Sequence, residues 1–236
     1  YDFAAMTPMQ VHHVLHAESG RQKLGKIGNL IIGGGDMDAL IAGDLSNLPP
    51  MVYHTYGMTE TLTHVAMKKI TPLSEGEFRA LPGVRFEKDQ RNCLVINDTL
   101  LGIQGLETND QVELLSATSF NMLGRIDNII NSGGIKINPE VIENRLQGKL
   151  KHRIVVAGKM DSILGEKVIL IVETRKDGPP ADLIAVLRGA GLDKFEKPRE
   201  IFFVDALPET SSGKIRRKKL MERIALLKGQ EIYDLD

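Results

Sequence analysis

Apolar residues in the first part of the chain alternate between helical and extended spacing. After Pro8, the run Met9-Gln10-Val11-His12-His13-Val14-Leu15 sets apolar positions on one helix face, and Gly28-Asn29-Leu30-Ile31-Ile32 reads as a short buried strand. The strand runs into Gly33-Gly34-Gly35-Asp36 and then a helical stretch near Met37 to Leu45, the order of an α/β unit. From Val65 to Leu123 the pattern shortens. Runs such as Leu94-Val95-Ile96 and Gln111-Val112-Glu113-Leu114-Leu115, divided by Gly, Pro, Asn and Asp, predict a small antiparallel or barrel-like region. Beyond Gly124, strands are expected at Arg153 to Ala157, Lys167 to Thr174 and Glu200 to Val204, with helices at Asp182 to Gly189 and Lys218 to Leu227. Asn138-Pro139 starts another helix, through Val141, Ile142 and Leu146, because Asn can cap free N–H groups and Pro fits the first helical position. These elements suffice for a separate α+β lobe of about 110 residues, an ordinary domain size. The expected class is α/β plus α+β, with a boundary between Gly124 and Asn128, giving domains 1–126 and 127–236.

Composition narrows the function. The 236 residues are 42% apolar and 26% charged, a globular mixture, and the formal net charge of -1 gives no basic excess for nucleic acid or an anionic membrane. Small-molecule chemistry is the better expectation. Cys93 is the single cysteine, so no intrachain disulfide can form, and a reducing cytoplasm is expected. No apolar run reaches the roughly 18 residues of a membrane span. The opening Tyr1-Asp2-Phe3-Ala4-Ala5-Met6 has neither an initiator Met nor the form of a signal peptide, so the chain is expected to begin within a fold. His12 and His16, four apart, could share a helix face for a metal, but His13 stands where a zinc-protease helix carries Glu, and an amphipathic helix explains them better.

Three motifs concentrate chemistry. Tyr56-Gly57-Met58-Thr59-Glu60-Thr61 packs a stacking ring, a glycine for close approach, hydroxyls and a carboxylate into one loop; such a set can hold an adenine, bond a phosphate and place an oxygen on Mg²⁺. A capped loop explains it equally well. Leu123-Gly124-Arg125-Ile126-Asp127-Asn128 leads through Ile129-Ile130-Asn131 to Ser132-Gly133-Gly134. Arg125 and Asp127, two apart, would share one face of a strand as a salt-bridged hairpin, but the glycine pair also gives a narrow ligand room to pass backbone. Pro208-Glu209-Thr210-Ser211-Ser212-Gly213-Lys214-Ile215-Arg216-Arg217 is not a phosphate-binding P-loop, since Pro208 replaces its first glycine and Ile215 its hydroxyl residue. A lysine on such a loop can swing onto a phosphate; a basic loop leading into a helix is otherwise a solvated face.

In this order and spacing the three motifs resemble the superfamily of acyl-CoA synthetases, luciferase-like enzymes and nonribosomal adenylation domains. The likeness runs from Gly33 to Arg217, and Thr7-Pro8-Met9-Gln10-Val11 is similar to the family segment ahead of the glycine turn. The resemblance implies that this chain is the later part of a large ligase domain, an α/β unit and a small barrel-like region, followed by a small mobile α+β lobe. It also implies that Gly33, Gly34 and Gly35 lie against adenine and the acyl pocket, and that Tyr56 stacks on adenine beside Gly57. Thr59 would meet phosphate and Glu60 Mg²⁺; Asp110 would bind the ribose hydroxyls and Arg125 the nucleotide. Asp127 would be the hinge, Ser132, Gly133 and Gly134 would border coenzyme A, and Lys214 would serve acyl-adenylate formation. Asn109 departs from the glycine usual in the family before the acidic residue.

The reaction so implied joins a carboxylic acid to CoA through an acyl-adenylate, with ATP, Mg²⁺ and CoA required and domain rotation between its two steps. The family's Ser/Thr/Gly-rich phosphate loop is missing, so a fragment of a longer ligase is expected, a poor catalyst by itself. The wording from Tyr56 to Ala66 is most similar to o-succinylbenzoate–CoA ligases of menaquinone synthesis. Other acyl- or aryl-CoA ligases, a noncatalytic nucleotide-binding module, and a basic-tail interaction protein using Lys214, Arg216, Arg217, Lys218 and Lys219 remain open, as does the oligomeric state.

Overall fold

Thr7 starts the first helix by a reciprocal cap: its hydroxyl accepts from the Gln10 N–H at 3.3 Å while the Gln10 side chain accepts from the Thr7 N–H at 2.8 Å, with Pro8 preset at the first position. The computed structural model describes the chain except at residues 36, 38, 50, 71–75, 148, 151, 175–180, 211–212, 228–229 and 232–236, so Asp36, Ser211 and Ser212 of the predicted motifs lie outside the described residues. The chain divides into two units, Tyr1–Leu123 with Ser211–Lys214, and Gly124–Thr210 with Ile215–Asp236.

In the first unit, β1 (Phe3–Met6), β2 (Asn29–Ile32) and β3 (Met51–Gly57) pair in parallel, with Ala4 opposite Leu30 and Leu30 opposite Val52. Helices α1 (Pro8–His16), α2 (Gly20–Leu24) and α3 (Ala39–Ser46) connect them. Val11 and Leu15 of α1, Leu24, Leu45 and the strand residues Leu30, Ile32 and Val52 form their shared core. The chain then turns antiparallel through β4 (His64–Ile70), β5 (Phe78–Ala80), β6 (Val84–Lys88), β7 (Cys93–Asp98), β8 (Ile103–Ser116) and β9 (Ser119–Arg125). Among the described residues these strands continue the parallel ones in one nine-stranded sheet of order β1-β2-β3-β4-β5-β9-β8-β7-β6. The order is linear, with β6 at its end. The small antiparallel or barrel-like region expected from Val65 to Leu123 is thus the antiparallel half of the same sheet, packed around Phe78, Phe86, Leu94, Ile96 and Phe120.

The second unit begins with the hairpin β10 (Ile130–Ser132) and β11 (Ile135–Ile137), followed by α4 (Pro139–Leu146). Strands β12 (Ile154–Asp161) and β13 (Gly165–Glu173) pair antiparallel; after α5 (Leu183–Arg188), β14 (Glu200–Val204) lies parallel to β13. The last described elements are α6 (Arg217–Ile224) and β15 (Gln230–Glu231). The continuous apolar run Val168–Val172 marks β13 as a strand covered on both faces. Side chains alternate, so Val168, Leu170 and Val172 join Ile142, Leu146 and Leu187 in one core, while Ile169 and Ile171 join Leu220 and Ile224 in another. Glu200 ties the three strands together, accepting from Lys159 at 2.8 Å and lying 3.1 Å from Lys167. Burial alone would raise its pKa, but hydrogen bonds from these two lysines bring it below the ordinary value.

Candidate functional site

The glycine turn sits where parallel strands β1, β2 and β3 end, the edge at which open α/β sheets expose their connecting loops. The Gly33 N–H donates to Met6 O at 3.1 Å, and the Thr55 hydroxyl to Ile32 O at 3.3 Å. A Cβ on Gly33 would lie 2.2 Å from the Thr55 hydroxyl oxygen, so a side chain there would displace that bond. Gly34 has φ +81°. His54 holds the far side of the turn, its Nε2 3.1 Å from Gly35 O. Beside the turn opens a pocket of about 280 Å³ lined by Ala5, Met6, Thr7, Gln10, Ile31, Gly33 and Thr55.

Tyr56 and Gly57 are on β3 itself rather than in a loop, which corrects the sequence expectation; the loop proper begins at Met58. A register shift between Tyr56 and Gly57 breaks the regular ladder with β4 before its last pair, Gly57 with His64, and a Cβ on Gly57 would meet Thr63 O at 2.4 Å. Thr59–Thr61 is a 3-10 turn that displays Thr59 and Glu60 to solvent. Thr61, fully buried, organises it: its hydroxyl accepts from the Met58 N–H at 3.0 Å and faces Thr63 O at 2.8 Å.

Asp110 lies on β8, far from Tyr56 in sequence, yet the Tyr56 hydroxyl donates to its Oδ2 at 2.6 Å. The Tyr56 ring packs edge-on against Phe120 at 5.3 Å. Between the pairs Cys93 with Gln111 and Val95 with Glu107, β8 carries more residues than β7, a bulge that re-aims Asp110. Arg91 secures the bulge, donating to Thr108 O at 3.0 Å and to the Asn109 side chain at 3.2 Å. Asn109 is not among the residues with positive φ, so the backbone here has no need of the glycine that the family carries.

In the second unit, Arg125 ends β9 and Asp127 sits in a 3-10 turn, Ile126–Asn128. They form the expected ion pair at 2.9 Å, about half exposed, but not as same-face residues of one strand. Ser132 is buried, and Gly133 and Gly134, at φ +58° and +82°, make the two-residue turn between β10 and β11. The Gly133 N–H donates to Leu164 O at 2.8 Å.

Lys214 is exposed, and the chain on either side of it is tied down. Glu209 and Ile215 form an antiparallel bridge, and the Arg216 N–H donates to Pro208 O at 2.8 Å. Arg217, read from the sequence as part of a solvated basic run, turns inward. Its Nη2 donates to both Glu143 oxygens at 2.9 Å and its Nη1 to Val156 O at 2.8 Å. Burial pushes the Glu143 carboxyl up to about 7, against the opposing pull of Arg217. Nothing in the local sequence of Arg91, Thr61, Glu143 or Arg217 announced these roles; only a search for charged residues with distant partners could have raised them.

Residues 152–214 match the family model described as the AMP-binding enzyme C-terminal domain. Over 235 residues the chain is 28% identical to the probable 2-succinylbenzoate–CoA ligase of Mycobacterium tuberculosis, covering 94% of this chain and 61% of that protein. The chain is thus similar to adenylate-forming enzymes. A second adenylate-forming relative, the 2,3-dihydroxybenzoate-AMP ligase of Bacillus subtilis, is 33% identical over 120 residues, 50% of this chain and 22% of that one. The chain therefore spans less than two thirds of the length of these curated relatives. The same fold is seen in the crystal structure of ATP-bound MatB from Rhodopseudomonas palustris, at TM-score 0.75 and 20% identity over 94% of this chain and 50% of that one. Among the described residues, no helix is long and apolar enough to cross a membrane.

Proposed function

We propose that the chain belongs to an acid–thiol ligase that makes an acyl-CoA through an acyl-adenylate, with o-succinylbenzoate as the acid, in a cytoplasmic pathway to menaquinone. The observation that carries this reading is the Tyr56–Asp110 bond beside the pinned glycine turn: a ring, a carboxylate and exposed backbone at one sheet edge suit a nucleoside. Gly33, Gly34 and Gly35 would let adenine approach backbone, Tyr56 would stack on it with Gly57 alongside, and Asp110 would accept from the ribose hydroxyls. Arg125 would contact the nucleotide. The M. tuberculosis relative supports the choice of acid.

In the first step a carboxylate oxygen attacks the α-phosphorus of ATP and pyrophosphate leaves. Thr59 would donate to phosphate and Lys214 would neutralise charge developing on the transferred group. Glu60, one exposed carboxylate next to a hydroxyl, has the hard oxygen donors that fit Mg²⁺ carried in with phosphates. Bound there, Mg²⁺ would screen phosphate charge. In the second step the CoA thiol attacks the acyl carbon and AMP leaves. Asp127 would act as the hinge for a mobile lid, domain 127–236, and Ser132, Gly133 and Gly134 would border the pantetheine arm.

The test is acyl-AMP formation by the full-length protein from o-succinylbenzoate and Mg·ATP, beside Lys214→Ala and the 236-residue chain. Activity in the full-length protein, abolished by the substitution and near background in the chain alone, is expected. ATP binding with no turnover of this acid, but turnover of an aryl acid such as 2,3-dihydroxybenzoate, would overturn the substrate while keeping the ligase class.

A further inference from the structure

We infer that Arg217 with Glu143, and Arg153 with Glu209, are positioning residues for Lys214: they fix the base of its loop and act on acyl-adenylate formation, not on thioester formation. The inference rests on the role proposed above for Lys214.

One stem of the loop is tied to β12 and the other to the residue just before it. On the incoming side, Glu209 pairs with Arg153, the residue immediately before β12. The Arg153 guanidinium also lies 3.5 Å from Glu173, a buried carboxylate whose Oε2 accepts from the Leu207 N–H at 3.2 Å. On the outgoing side, Arg217 grips Glu143 with both carboxylate oxygens engaged and donates to Val156 O, within β12. The same Glu143 accepts from the Val156 N–H at 2.7 Å, so one backbone residue is held in both directions. The Glu209–Ile215 bridge and the Arg216–Pro208 bond close the base between these anchors. Just inside it, Gly213 at φ +90° turns the chain into Lys214.

Such pairs are expensive to bury, and their attraction offsets desolvation only when the geometry is good and the remaining lone pairs are filled. A loop that merely displayed a soluble lysine would need neither anchor. A lysine that must reach a phosphate within hydrogen-bond range does, since displacement by about 1 Å can lower a rate about 100-fold. Arg217 therefore acts through the lysine, three residues away, and not by touching substrate.

The test separates the two half-reactions in the full-length protein: pyrophosphate release from ATP and acid, and CoA-dependent consumption of supplied acyl-AMP. Arg217→Lys and Glu209→Gln should each slow the first by about tenfold or more and leave the second within about twofold. Combining Arg217→Lys with Lys214→Ala should slow adenylation no further than Lys214→Ala alone, because groups that act as a unit are not additive. Equal slowing of both half-reactions, or additive losses in the double variant, would overturn the inference in favour of plain stabilisation. If Arg217→Lys unfolds the protein in a thermal melt, Glu209→Gln decides by the same two rates. Should Lys214→Ala leave adenylation intact, the proposed role of the lysine falls, and the inference with it; a loss there with no effect of the anchors sinks the inference alone.

Discussion

The Tyr56 hydroxyl and the Asp110 carboxylate meet at 2.6 Å although 54 positions separate them. The bond sets the tyrosine ring between the aromatic cluster and a bulged strand, so one contact orients both groups proposed to face a nucleoside. Tyr56→Phe keeps the ring and removes this donor from a buried carboxylate, only 8% exposed. It should cost about 1 to 3 kcal/mol of stability and weaken ATP binding several-fold. Urea unfolding and nucleotide titration read the two effects; unchanged affinity would show that the bond does not organise the site.

Glycines in the first unit should differ sharply in tolerance. At Gly57 a methyl group would press on Thr63 O and His64 Cα at 2.4 and 2.7 Å, both backbone, so Gly57→Ala should lose about 2 kcal/mol or more. Gly43 lies inside α3 with nothing within 4 Å of an added Cβ, and Gly43→Ala should gain about 0.5 to 1 kcal/mol. Denaturation midpoints of the pair check the contrast.

Thr61→Val is nearly isosteric but removes the hydroxyl that accepts from Met58 N–H and faces Thr63 O. With the side chain fully buried, water cannot replace it, and a loss of about 1 to 3 kcal/mol is expected. The turn that displays Thr59 and Glu60 should loosen too, lowering Mg·ATP affinity. Equal affinity in the variant would separate turn geometry from phosphate binding.

Glu143 predicts a pH dependence of the second unit. Its folded pKa, about 7, lies above the ordinary 4.5, so between these values the folded protein holds more protons than the unfolded one. The group's contribution to stability is therefore greatest below about pH 4.5, falls as pH rises to about 7 and is level beyond, by at most about 1.4 kcal/mol per pH unit. Glu143→Gln should remove this slope. A pH series of unfolding free energies that is parallel in the two proteins would refute it.

Local pattern was enough for the elements whose periodicity is complete within themselves. The strand at Glu200 to Val204 formed where its apolar run put it, and the helix through Val141, Ile142 and Leu146 starts at Pro139 as expected, although the Asn138 side chain makes no cap bond there. Local pattern was enough for the order of the motifs too, because a run such as Tyr56 to Thr61 carries its chemistry in consecutive side chains. Strand β1 was not legible: four residues, none fully buried, become a strand only by pairing with β2. The bulge that aims Asp110 was hidden for the same reason, since a register shift is a relation between two strands. Arg217 is the sharpest case. In sequence it belongs to a run of cations destined for water, yet its partner Glu143 lies 74 positions away. Helix and strand propensity act between near neighbours and are written in the sequence. Which buried charge meets which is settled only when packing brings distant segments together and desolvation makes an unpaired charge too costly to keep.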